Sequence, residues 1–251
     1  MTAIIERENR WTLPDLTAAR AWCRERNRQQ IACTLHVLDE YTQSRTEVDA
    51  VTAAYRETIE GISGDGVDAA ISVKLSSLGA LFDADLAIGR SYELCKEARE
   101  HGVGFEIDME GRDLVGTAIE AASLCARKGL PVTLALQAYL YRTPGDLRVL
   151  LALGVIPRFV KGAYLGDMED LQDGTHDPVI LPEIRSLMAD HRDRITFGFL
   201  MGLSDRTKQE MAAGGWQVSE YVPFGKDAGP YVARRERYLR ELDTAGRTAA
   251  E

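Results

Sequence analysis

Short runs rich in β-branched and aromatic residues recur along the chain, and longer segments with apolar residues at helical spacing separate them. The runs are IACTLHVL (31–38), AAISVKLS (69–76), VGFEIDM (103–109), PVTLALQAYL (131–140), PRFVKGAY (157–164), ITFGFLM (195–201) and QVSEYVPF (217–224). Over the first six, the starts fall roughly 26–38 residues apart, the length of one strand–helix unit. The separators include VDAVTAAYRETIEGI, LAIGRSYELCKEARE, LVGTAIEAASLCARKG and PGDLRVLLALG. Several of these predicted helices open on Asp or Thr and close on Gly102, Gly129, Gly154 or Gly214, as helix starts and stops require. Strands that alternate with helices pair in parallel through right-handed crossovers, so the expected class is α/β. The 251 residues suit one large domain, and no Pro/Ser-rich linker divides them. A single domain over 1–251 is expected.

Composition narrows the function. A net charge of −9 opposes a sequence-independent nucleic-acid binder, which needs a basic field, but leaves room for a local cationic pocket. Cys23, Cys33, Cys95 and Cys125 are scattered, without CxxC or His spacing for a metal, and read as buried thiols of a reducing compartment. The first residues, MTAIIERENRWTLPDL, lack the apolar core of a signal peptide. No apolar stretch approaches the roughly 20 residues a membrane-spanning helix needs. The expectation is a cytoplasmic protein with no integral membrane segment, peripheral attachment to a membrane being left open.

Polar residues on the strands separate a closed (β/α) barrel from an open sheet. Lys74, Asp108, Gln137, Lys161 and Tyr221 lie within or near the C-terminal ends of otherwise apolar strands. A buried ionisable group is costly unless paired, so five on five strands suggest convergence on one mouth, where barrel enzymes place their chemistry. Between Tyr164 and Thr175 lies LGDMEDLQDG, too short for an ordinary crossover helix. A barrel built this way is therefore expected to be incomplete or irregular there, with a helix or strand open to loss around 164–178.

The chain has no P-loop, no helix-opening GxGxxG, no HExxH and no GxSxG, and its four histidines are dispersed. Arg158 and Lys161 flank a strand end, with Gly162 and Ala163 leaving room for a ligand. They suit either stabilisation of negative charge on a ring or oxyanion, or a structural ion pair. Arg234 and Arg235 follow Pro230 at a predicted helix start, where an Arg pair is more often a solvated face but can also clamp a carboxylate.

ISVKLSSLG (71–79), FEIDME (105–110), LQAYLYRTPGDL (136–147), RFVKGAY (158–164), THD (175–177), YVPFG (221–225) and PYVARR (230–235) together resemble the proline dehydrogenase family, in matching order from about Trp11 to Leu242. The resemblance implies a distorted (β/α)8 barrel that holds FAD, with FMN as an option. It implies oxidation of L-proline, or a close cyclic imino acid, to Δ1-pyrroline-5-carboxylate by hydride transfer from C5 to flavin N5, with a quinone or other acceptor taking the electrons.

Arg234, Arg235 and Lys74 resemble the family's substrate-carboxylate contacts, and Tyr164, Tyr221 and Tyr231 resemble the walls around the substrate ring. Asp108 resembles an acid near the flavin and Lys74. Arg158 and Gln137 resemble flavin-ring contacts, and Lys161, Gly162, Ala163, Thr175 and His176 resemble further cofactor contacts. Glu40 resembles a glutamate that closes over the site on the first arginine. Lys74, Asp108, Arg158 and Tyr221 are the implied catalytic set; no metal is implied.

The chain departs from the family in three places: the short interval after RFVKGAY, Gly198 and Leu200 in FGFLMG (197–202), and Tyr238 where RRxxE has glutamate. All three touch the cofactor side. They leave a second reading, a redox-silent relative that binds an imino acid or partner without flavin. A third reading has Lys74 or Lys161 forming a Schiff base in the same barrel.

Overall fold

A computed structural model describes residues 10–38, 41–138, 140–160, 196–226 and 228–244. In chain order these form α1 (Leu16–Arg28), β1 (Ile31–Val37), α2 (Arg45–Asp65), β2 (Ala69–Val73), a 3-10 turn (Leu75–Leu78), α3 (Ala84–Glu100), β3 (Gly104–Ile107) and α4 (Arg112–Arg127). Then follow β4 (Thr133–Gln137), α5 (Thr143–Ala152), β5 (Ile156–Val160), β6 (Thr196–Leu200), α6 (Asp205–Ala213), β7 (Gln217–Phe224) and α7 (Gly229–Thr244). Each of the seven apolar runs overlaps one strand, β5 starting one residue ahead of its run. The short interval at 164–178 lies outside the described residues.

The chain divides into two compact units. The first holds α1, β1, the 64–69 turn, β6, α6, β7 and α7. Its strands run parallel in the order β6-β7-β1, with Ile31 beside Val218 and Thr196 beside Gln217. Alternation sorts β7. Val218, beside Ile31, packs with Met211, Ala212 and Trp216 of the α6 region, while Ser219 and Tyr221 face Thr34 and His36 across the pair.

A strap from the chain's beginning closes one end of β7. The Leu13 N–H donates to Pro223 O at 3.0 Å, the Gly225 N–H donates to Leu13 O at 3.0 Å, and Trp11 Nε1 donates to Glu236 on α7. Gly225 has φ +132°, and a Cβ there would stand 3.3 Å from Leu38 O, so YVPFG needs its glycine.

The second unit holds α2 to α5 with β2 to β5 in sequential parallel order. On α2, Val48, Val51, Tyr55, Ile59 and Ile62 are buried at three- and four-residue spacing, the helical period that marked this segment. Each such side chain contributes about 1.5–3 kcal/mol by leaving water. Asp83 caps α3 by accepting from the Leu86 N–H at 3.0 Å, as Asp15 caps α1 by accepting from the Ala18 N–H at 2.8 Å.

Gly102, Gly129 and Gly154 take the left-handed conformation after α3, α4 and α5. After α6 it falls on Gly215 rather than Gly214, because the helix runs one residue further than the glycine pair suggested. All four cysteines are buried free thiols.

Candidate active site

In the second unit the polar residues gather around β3. β3 and the residues that follow it spell FEIDME, which spaces Glu106, Asp108 and Glu110 at two-residue intervals, and the first two turn to the same arginine. Arg158 on β5 reaches them across β4. The register puts Ala135 beside Arg158 and Leu134 beside Ile107, so Ala135 lies in the row between Arg158 and Asp108. A methyl group there lets the long side chain pass. Arg158 Nη2 donates to Asp108 Oδ1 at 2.6 Å, and its Nε lies 2.9 Å from Glu106 Oε2. The Nε–H does not point along that second line, so the contact is an ion pair rather than a hydrogen bond.

Glu106 also accepts from Ser72 Oγ at 2.7 Å, Ser72 being its cross-strand neighbour on β2. Burial pushes the Glu106 carboxyl up and Asp108 adds to the push, while Arg158 and Ser72 pull it down less strongly. Glu110 accepts from Ser76 N at 2.9 Å and Ser76 Oγ at 2.5 Å. Burial raises its carboxyl too, opposed by Ser76 and by the charge of Lys74. Lys74 is buried, just past β2. Gln137 ends β4, and its Nε2 donates to Glu110 O at 3.1 Å. Its Oε1 is buried without a hydrogen-bond partner. Lys74, Asp108, Arg158 and Gln137 thus join one polar cluster, with Glu106, Glu110, Ser72 and Ser76 as members the motif reading missed. The alternation of acids in FEIDME was the legible signal for the two glutamates.

In the first unit, Tyr221 and Tyr231 are buried in one cluster with Trp11 and Leu38. The His36 ring stacks on Tyr221 with centroids 5.6 Å apart. Arg234 and Arg235 both place their guanidinium carbons over the Tyr231 ring, at 5.9 and 4.9 Å. Both side chains thus reach one aromatic ring. Arg235 Nε is buried with no hydrogen-bond partner, and no carboxylate pairs with this guanidinium among the described residues. His36 and Trp11 were not anticipated, although a histidine in the apolar run IACTLHVL was the available hint. Glu40, Lys161, Gly162, Ala163, Tyr164, Thr175 and His176 lie outside the described residues. Gly198 and Leu200 lie on β6, and Tyr238 on α7.

The family profile for proline dehydrogenase matches residues 19–181. The chain belongs to the proline dehydrogenase family. It is 27% identical over 237 residues to proline dehydrogenase 1 of Bacillus subtilis subsp. natto, covering 83% of this chain and 78% of that protein. Against the proline dehydrogenase of Deinococcus radiodurans it is 29% identical over 241 residues, with 83% and 78% covered.

Among solved structures, proline utilization A (PutA) from Bdellovibrio bacteriovorus, inactivated by N-propargylglycine, superposes with a TM-score of 0.75 at 17% identity. That match covers 90% of this chain and 31% of the PutA chain. A Bradyrhizobium japonicum PutA mutant gives a TM-score of 0.66 at 20% identity, covering 83% of this chain and 28% of that one. The chain thus spans about a third of these longer proteins. The α/β class expected from the sequence, a distorted TIM-like barrel, stands. With the family comes an oxidoreductase that depends on flavin. Among the described residues, no helix is long and apolar enough to cross a membrane.

Proposed function

We propose that this chain is a flavin-dependent proline dehydrogenase that oxidises L-proline, or a close cyclic imino acid, to Δ1-pyrroline-5-carboxylate. The observation that carries the reading is Arg235, a half-buried guanidinium laid on Tyr231 without a carboxylate partner among the described residues. A cation held ready on an aromatic face suits the carboxylate of a small substrate. Arg234 reaches the same ring, and Tyr221 and Tyr231 offer apolar faces with polar tips to a saturated ring.

The second unit's residues fit the cofactor. The buried, unpartnered Oε1 of Gln137 is an acceptor that a ring N–H of a flavin would satisfy. Arg158, fixed by Asp108, is assigned to the electron-accepting edge of that ring, and Lys74 to the substrate's charge. When bound, the flavin supplies the two-electron acceptor. The protein's own residues bind, orient and exclude water. FAD is the proposed form, a quinone the proposed acceptor, the cytoplasm the proposed location and 1–251 one domain. Glu40, Lys161 to Tyr164, Thr175 and His176 keep the substrate and cofactor roles their motifs imply.

The test is the visible spectrum of the purified protein, followed by L-proline under anaerobic conditions. Loss of the flavin band is expected, and chromatography of the cofactor released on heating separates FAD from FMN. A colourless protein that neither flavin reconstitutes sinks the proposal. Calorimetric binding of proline by that colourless protein would favour the redox-silent reading.

A further inference from the structure

We propose that Glu106 is a positioning residue that acts through Arg158, aiming its guanidinium and offsetting its charge at the proposed flavin site. The inference rests on the functional reading above. Three observations meet in it. Glu106 is 6% exposed, and its two oxygens are divided between Ser72 and Arg158. Asp108 holds the far end of the same guanidinium at 2.6 Å, so one cation lies between two carboxylates, one on β3 and one just past its end. The small Ala135, standing in the row between, keeps the crossing open.

Two-point anchoring restricts an arginine's rotamers far more than one contact does, which pre-organises it for a ring beside it. Ser72 extends the support inward, because its own carbonyl accepts from the buried Tyr55 hydroxyl at 2.8 Å. Among the described residues the charges that face Arg158 are Glu106 and Asp108, and Glu110 lies next in the cluster, coupled to Asp108 and Lys74. Removing the negative charge of Glu106 leaves the guanidinium less neutralised. A flavin beside it is then easier to reduce and binds sulfite, a small anionic probe of the ring, more tightly.

The experiment compares wild type, Glu106→Gln and Ser72→Ala, each loaded with FAD, by sulfite titration of the visible band and by midpoint potential. Glu106→Gln keeps the shape and the Ser72 contact. It should bind sulfite about tenfold more tightly, which for a two-electron couple matches a rise of about 30 mV. Ser72→Ala, which removes only the hydroxyl that stabilises the carboxylate, should move both in the same direction by less. It also stands as the second variant if Glu106→Gln fails to fold. Flavin-loaded variants with wild-type sulfite affinity and potential would overturn the role of Glu106 alone. A wild type that takes up no flavin would overturn both this inference and the function it rests on.

Discussion

Each unit carries a buried charge cluster, and the two are built on opposite plans. In the first unit Glu220 on β7 is fully buried and accepts from Trp22 Nε1, Arg26 Nε and Lys208. Arg26 and Lys208 also share Asp205, at 2.8 and 2.9 Å. Two cations thus meet two acids on the helix-covered side of β7. In the second unit Glu106, Asp108 and Glu110 meet Arg158 and Lys74, three acids to two cations among the described residues, and burial holds two of those acids above their usual range. A balanced cluster fastens helices to a sheet. An unbalanced one, whose carboxyls are kept from their ordinary titration, is where ligand chemistry is expected.

The contrast breaks most visibly at Glu220. Glu220→Ala strands two buried cations and should cost about 3–5 kcal/mol in denaturant unfolding, with loss of flavin only as a consequence of unfolding. Arg235→Ala tests the other side. It removes a cation that no described carboxylate needs, so stability should hold while KM for proline rises through the loss of about 1.5–3 kcal/mol of charge-assisted binding. Arg158→Ala should cost about 1–3 kcal/mol near neutral pH and less in mild acid, because Glu106 then takes up a proton instead of staying unpaired.

The two clusters should also titrate in opposite senses. Burial pushes Asp205 up, but Lys208 and Arg26 outweigh it and hold the carboxyl below its usual value. Its contribution is present above the ordinary Asp range and is lost as pH falls through the lowered value. Asp205→Asn should flatten that acid limb of the unfolding-midpoint profile. Glu106 is raised, so its contribution is complete below the ordinary Glu range and lost as pH rises through the raised value; Glu106→Gln should remove that decline. The smallest expected effect is at the helix caps. Asp15→Ala and Asp83→Ala should each cost about 1 kcal/mol. Asp83 should cost slightly more, because it also pairs with Arg45.

Much of the fold was legible because strand and helix periods differ so plainly. Tyr55 and Ile59 on α2, and Ile71 and Val73 on β2, fall at the two spacings. The site was legible at Lys74, Asp108, Gln137 and Arg158 because polar residues at strand ends are conspicuous in apolar runs. Glu106 and Glu110 escaped because the motif drew attention to one acid of three, although the alternation itself was visible. The Glu220 cluster was beyond reach, since Arg26, Lys208 and Glu220 come from α1, α6 and β7 and only the folded chain brings them within a hydrogen bond. The direction of Arg158 also depended on folding, because it is set by a small residue one strand away.

The strap that binds Trp11 and Leu13 to α7 and the end of β7 has a practical corollary. The arginines assigned to grip the substrate ride on a helix whose footing is supplied by amino acids more than two hundred positions upstream. Trp11→Phe, which removes the indole N–H that Glu236 accepts, should therefore register as altered proline affinity rather than as simple loss of solubility. Proline titrations of that variant beside wild type would expose the long-distance coupling.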